Sequence, residues 1–331
     1  MQGADSRSLW QEVARDVFCP AAAACGERRI VLFMRTAGGE LLCRERDGGT
    51  WGDLRSLGVP VARVRDSEVG PVEWPIAACG TGEGDVHLLA RGPDGDLLHG
   101  IRGRNWSGFE SVGIPDVYED GPVLPAGLAG APSACSRERG SLAAFAADGD
   151  GNLLHAPWIA GGFGQCESLG GLSPRRQRPR PVYGAIAAFA AGVRSMGVVV
   201  RDGAVGELLI KWWSSGKWGD FEPLPPSPLD PLDPALSYLS PLSGPPAACG
   251  GGAARADVFV RGPHGDLLHT FWDGRGWSAF KSLGTPGVPF TAAAPACVWG
   301  RYRLDVFACA SDGKLYNAWW DGSWAHVPRA Q

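Results

Sequence analysis

Along the chain the apolar residues come in short runs, broken at near-regular intervals by Gly, Pro, Asp and Asn, and no stretch sustains the three-to-four-residue beat of an amphipathic helix. Residues 245–284 show the plan most clearly. PPAAC is followed by DVFV after a glycine loop, by LLHTFW after GPHGD, and by WSAFKSL after DGRG. Each run has the length of a strand and each break has turn chemistry, so the segment predicts one antiparallel meander of four strands.

The same plan recurs. An apolar pair after a Gly-rich turn begins at Leu41, Leu97, Leu153, Leu208, Leu267 and Leu315, and an aromatic landmark follows at Trp51, Trp106, Phe163, Trp218, Trp277 and Trp324. Both series step by 47 to 59 residues, which defines six units at approximately 20–61, 75–116, 131–173, 184–227, 245–287 and 294–331. A lone four-stranded sheet cannot cover both of its faces. Six of them arranged radially bury each face against a neighbour, so the expected fold is all-β: one domain over 1–331, a six-bladed β-propeller of four-stranded antiparallel blades. Residues 1–19 precede the first unit, and SLWQEV around Trp10 reads either as a ring-closing outer strand or as an appended arm.

Composition narrows the function classes. Gly and Pro number 49 and 27 while hydrophobic residues remain at 44%, which fits a turn-dense chain that still forms a core. A net charge of −4 supplies no positive field for a phosphate backbone, so no nucleic-acid partner is expected. The nine cysteines lack CxxC or HxxxH spacing, and neither a metal nor a cofactor is expected. VFCPAAAAC at 17–25 has the apolar look of a leader, but Asp5, Glu12 and Asp16 lie upstream, and PIAAC, PSAC, PPAAC and PAC repeat the unit deep in the chain. With no apolar run of about 18 residues, membrane insertion is not expected. A soluble, reducing, cytoplasmic location and a monomer or small oligomer are the expectation. Cys25, Cys79, Cys135, Cys249 and Cys297, with Phe189 in unit four, are expected to share one position on the innermost strand.

The hairpins WDGRGW (272–277), WDGSW (320–324) and WSSGKW (213–218) complete the pattern. Taken with DVFVRGPHGDLLHTFWDGRGWSAFKSLG and LDVFACASDGKLYNAWWDGSW, the repeat resembles that of the fucose-binding β-propeller lectins of the Photorhabdus type, and more loosely that of the six-bladed Aleuria-type fungal fucose lectins. The resemblance spans nearly the whole chain. It implies a protein whose partners are small sugars or glycans, recognising fucose or a related monosaccharide in aromatic pockets between blades. The fungal lectins hold fucose with an Arg, a Glu and an aromatic residue; at the strand position where that Glu is sought this chain has Cys43, His99, His155, Ile210, His269 and Asn317. One or two working pockets around units four to six are therefore expected. Their candidate ligand residues are Trp213, Trp218, Trp272, Trp277, Trp320 and Trp324 for the sugar's apolar face, with His269, Asp273, Asn317 and Asp321 for its hydroxyls.

Between units lie longer stretches of mixed character: 61–74, 115–127, 173–184 and 225–246. Loops on one face of a rigid scaffold are where function is displayed, so the alternative reading is a biosynthetic or hydrolytic enzyme with its site at the channel mouth. Asp66, Glu68, Glu73, Asp116, Glu119 and Asp120 are its candidate acids or bases, with Arg176, Arg178 and Tyr183 as stabilisers of developing charge. No GxSxG, HExxH or P-loop is present, so whether the chain is an enzyme is left open by the sequence.

Overall fold

In the computed structural model the described residues are 7–25, 29–64, 67–82, 84–113, 127–172, 181–182, 185–202, 206–224, 242, 244–252, 254–292, 294–300, 303–324 and 327–328. Among them there is no helix, and hence none long and apolar enough to cross a membrane. The strands form six antiparallel blades around an axis, as the sequence predicts. The innermost strands are Val17–Cys25, Glu73–Gly80, Ser133–Cys135, Ile186–Ala190, Ala247–Gly250 and Ala296–Trp299; each contacts the next, and the sixth returns to the first. Second strands are Arg29–Thr36, Val86–Arg91, Ala143–Ala147, Ser195–Arg201, Ala256–Arg261 and Leu304–Cys309. Third strands are Leu41–Asp47, Leu97–Arg102, Leu153–Ile159, Leu208–Ser214, Leu267–Trp272 and Lys314–Trp320.

The recurring Leu-Leu pair is explained by this arrangement. Successive residues of a strand point to opposite faces, so one Leu serves each neighbouring blade. Leu267 packs with Phe307's blade through Leu304 and Val306, whereas Leu268 packs with Val199 and Ile210 of the preceding blade. Phe33, Phe109, Phe145, Phe189, Phe259 and Phe307 are fully buried between blades, each contributing about 1.5–3 kcal/mol of burial energy.

Near the axis, sheets converge and side chains must shrink. A Cβ built on Gly80 would lie 1.6 Å from the carbonyl oxygen of Ala24, and one on Gly250 the same distance from that of Ala190. The rest of the lining is mostly Ala and Cys, around cavities of about 190 and 120 Å³ at the two ends of the channel. Pairing to the second strand corrects the expected cysteine ring. Cys79, Cys135 and Cys249 share a level with Phe189, but Ala23 and Val298 hold that level in blades 1 and 6; Cys25 lies two residues beyond it and Cys297 one residue before it. Burial raises the Cys79 thiol to about 12, and the Cys249 thiol is also raised, which keeps both protonated.

The outer edge is where the blades differ. Blade 6 receives its outer strand from the N-terminus: Gln11–Arg15 pairs with Lys314–Trp320, and Arg7–Ser8 pairs with Val327–Pro328. Trp10 is buried against Phe290, and its indole N–H donates to the carbonyl of Leu283 in blade 5. The described residues of the stretch 61–74 are largely strand. Val61–Val64 adds in parallel to Phe109–Ser111, the outer strand of blade 2, and Ser67–Pro71 folds back on it, extending that sheet to six strands.

Candidate functional site

Each joint between blades has the same construction. The third strand of one blade presents a residue at a fixed level, and the hairpin aromatic of the next blade closes over it. The fixed level carries Cys43, His99, His155, Ile210, His269 and Asn317, paired in register with Phe33, Leu89, Phe145, Val199, Phe259 and Phe307. Three of these joints contain a histidine, and the structure gives the three imidazoles different partners.

Between blades 5 and 6, His269 Nε2 lies 2.8 Å from Oδ1 of Asp257, whose side chain has 0% exposure. Arg255 donates twice to the same carboxylate, at 2.9 and 2.8 Å, and Trp299 Nε1 donates at 2.8 Å. Burial alone would raise this acid's pKa; the hydrogen bonds from His269 and Arg255 outweigh it and hold Asp257 ionised below the usual carboxylate range. The guanidinium of Arg255 lies over Phe271 at 4.0 Å and near Trp320 at 5.4 Å, so the cleft already holds a cation in an aromatic enclosure. Trp324 stands edge-on to His269 at 5.3 Å.

Between blades 2 and 3 the position of Asp257 is taken by His87. His87 Nδ1 lies 2.9 Å from His99 Nε2, the two rings are stacked, and Trp158 and Phe163 close over them. Burial, followed by the charge of His87, lowers His99 to about 4, so the pair is neutral near pH 7.

Between blades 3 and 4 the same position is Ala143, and His155 has no neighbour on its own second strand to bond. It turns outward to Glu167, which lies opposite it in register: Nδ1 is 2.7 Å from Oε1. Trp218 Nε1 of blade 4 donates to the same oxygen at 3.2 Å. The His155 side chain is 10% exposed but that of Glu167 is 55% exposed, so the carboxylate is held by two donors and still open to solvent. Burial lowers the His155 pKa, with the Glu167 hydrogen bond opposing it. On the far side Arg137 lies over Trp213 at 4.3 Å and donates to the carbonyl of Val193 at 2.9 Å. Glu167, Trp218 and Arg137 thus place a carboxylate, an indole and a guanidinium at the same joint between blades 3 and 4.

The residues singled out from sequence fall into distinct groups. Trp218 and Trp213 belong to the blade 3/4 cleft. Trp272 and Trp277 pack with Trp212 between blades 4 and 5, at 5.6 and 6.2 Å. Trp320 and Trp324 surround Arg255 and His269, as above. Asn317 is fully buried, its amide donating to Asp305, Val306 and Ala318. Asp273 Oδ1 accepts the backbone N–H groups of Arg275 and Gly276, which hold its carboxyl below the usual range and make it a turn former; Asp321 lies exposed in the corresponding hairpin. Of the alternative acid and base groups, Glu73 is paired with Arg91 and Glu68 with Arg63. Asp66, Asp116, Glu119, Asp120, Tyr183, Arg176 and Arg178 lie outside the described residues.

Glu167 was not among the sequence candidates, because the carboxylate was sought on the third strand. A signal was nevertheless present: the residue four past the hairpin aromatic is Glu110 after Trp106, Glu167 after Phe163 and Glu222 after Trp218. Only Glu167 among the three is drawn into a hydrogen-bonded joint among the described residues.

No protein-family model matches the chain, and no curated protein matches it in sequence. Solved structures do. The fucose-specific lectin of Aleuria aurantia superposes with a TM-score of 0.63 at 15% identity, covering 95% of this chain and 96% of that one. AofleA of Arthrobotrys oligospora gives 0.65 at 14% identity, over 100% and 92%. The BP39L lectin of Burkholderia pseudomallei gives 0.59 at 19% identity, over 96% and 99%. At these identities the likeness is one of fold, and the chain is a six-bladed β-propeller built like those lectins.

Proposed function

We propose that the protein is a carbohydrate-binding, lectin-like propeller that takes fucose or a related monosaccharide in the cleft between blades 3 and 4. The observation that carries this reading is the carboxylate of Glu167. Both of its internal bonds fall on Oε1, from His155 and Trp218, so Oε2 remains to accept a sugar hydroxyl at an oriented, exposed site. The Trp218 ring beside it offers an apolar face for C–H groups, and the Arg137 guanidinium has further N–H groups to donate. This is the division of labour of a small-molecule site: a mostly apolar wall with a few fixed polar groups. The similarity in fold to the fucose-specific lectin of Aleuria aurantia supports the choice of sugar class.

The test is titration of the protein with a monosaccharide panel that includes L-fucose, followed by tryptophan fluorescence and calorimetry. Saturable binding that is weakened at least tenfold in Glu167→Gln and in Trp218→Ala is expected. Absence of binding by every sugar at millimolar concentration would sink the reading.

A further inference from the structure

The six repeats would supply six equivalent clefts if each kept the same chemistry. They do not. We infer that the protein has one working carbohydrate cleft per chain: an arginine lies over an aromatic wall in the blade 3/4 cleft too, Arg137 over Trp213, but among the described residues only there do two donors hold a carboxylate through one oxygen and leave the other open. This rests on the reading of the blade 3/4 cleft given above and deepens it by fixing the valency.

In three clefts the acid is ion-paired with arginine. Between blades 5 and 6 the guanidinium of Arg255 occupies the aromatic enclosure, and Asp257, at 0% exposure, has its bonds taken by three neighbours. Between blades 6 and 1 the third-strand Trp is replaced by Arg46, which forms a two-pronged bond with the equally buried Asp305 at 2.8 and 2.6 Å and lies over Trp51 at 5.4 Å. Between blades 1 and 2 the same replacement gives Arg102, bonded to Glu45 at 3.1 Å, with Arg29 on the other side of that carboxylate at 3.7 Å. In all three, each acidic group is matched by cations of the protein, so a neutral sugar would have to break ion pairs to enter.

The remaining two lack an oriented carboxylate for another reason. Trp212, Trp272 and Trp277 pack on one another at 5.6 to 6.2 Å, and the fixed-level residue is the buried Ile210, so that level gives the blade 4/5 cleft an apolar side chain where the others carry Cys, His or Asn. Between blades 2 and 3 the two imidazoles bond each other, and Phe163 has no N–H with which to orient Glu110. Only where Ala143 stands in the place of His87 or Asp257 is a histidine free to present a carboxylate outward.

The valency is measured by calorimetry and native mass spectrometry on the wild-type chain with the tightest sugar of the panel. One sugar per chain is expected, with binding lost in Glu167→Gln at an unchanged melting temperature and retained within twofold in Trp277→Phe. Two or more sugars per chain, or binding that survives Glu167→Gln, overturns the single-cleft inference while leaving carbohydrate binding intact. Failure of every sugar to bind removes the carbohydrate reading itself and this inference with it.

Discussion

The joints between blades 3 and 4 and between blades 5 and 6 start from the same histidine on the same strand level and end as different objects. In one, His269 is locked against a carboxylate with no exposure, together with an arginine and an indole N–H. In the other, His155 holds a carboxylate that is more than half exposed. The difference traces to a single neighbouring position, Asp257 against Ala143. A buried acid must gather every donor within reach to offset its desolvation, and so becomes a structural pin. An alanine offers no acceptor, so the imidazole turns its Nδ1 to the surface carboxylate and its Nε2 stays buried without a hydrogen-bond partner. The His87–His99 pair between blades 2 and 3 is a third outcome of the same substitution.

The largest test of this contrast is to remove the pin. Asp257→Ala leaves Arg255 without its carboxylate and His269 and the Trp299 N–H without partners, and should cost about 3–5 kcal/mol in urea unfolding. Glu167→Gln, at an exposed carboxylate, should stay within about 1 kcal/mol of the wild type. Equal losses in the two variants would mean that the joints are not energetically distinct.

The histidine pair gives the next largest effect. His99 falls from an ordinary 6.5 to about 4 in the folded chain, so the unfolded state binds more protons between those values. The contribution of His99 to stability is therefore complete above about pH 6.5 and is lost as pH falls toward 4, a loss on the order of 3 kcal/mol. His87, also lowered by burial, acts in the same direction. Asp257 has the opposite assignment of charge: its depressed value contributes stability that is lost only below the ordinary carboxylate range. Thermal melts of His99→Gln between pH 7 and 4 should show a flatter slope than the wild type, and an unchanged slope would place the titration elsewhere.

The smallest effect sharpens the comparison within one cleft. Trp218→Phe removes the N–H that steadies Glu167 and copies the blade 2/3 arrangement, at a cost of about 0.5–1 kcal/mol. Adding Ala143→His should draw His155 from Glu167 to the new imidazole. NMR titration of His155 should then show its pKa shifted further down, toward the behaviour of His99; no movement would show that position 143 does not direct the histidine.

Much of this was legible in the chain and some was not. The six units, their four strands and the recurring apolar pair follow from periodicity, because alternation and turn chemistry are local. The stretch 61–74, read as a loop, became two strands because the open edge of blade 2 offered backbone partners, which depends on where that edge lies in space. The cysteine ring failed for a related reason: counting residues from a motif does not fix register when turns between the first and second strands differ in length, and a slip of one residue moves a side chain to the other face.

What the sequence determined by itself is the propeller: six repeats that cannot each bury two faces alone must close on one another. What only the tertiary structure decided is which repeat kept an open polar site. Glu167 and Trp218 are 51 residues apart and come from different blades, and the fate of His155 depends on an alanine across the sheet. Repeats alike in sequence diverge in chemistry because each joint is made of residues from two units, and hydrogen bonding between them is settled only once the ring is closed.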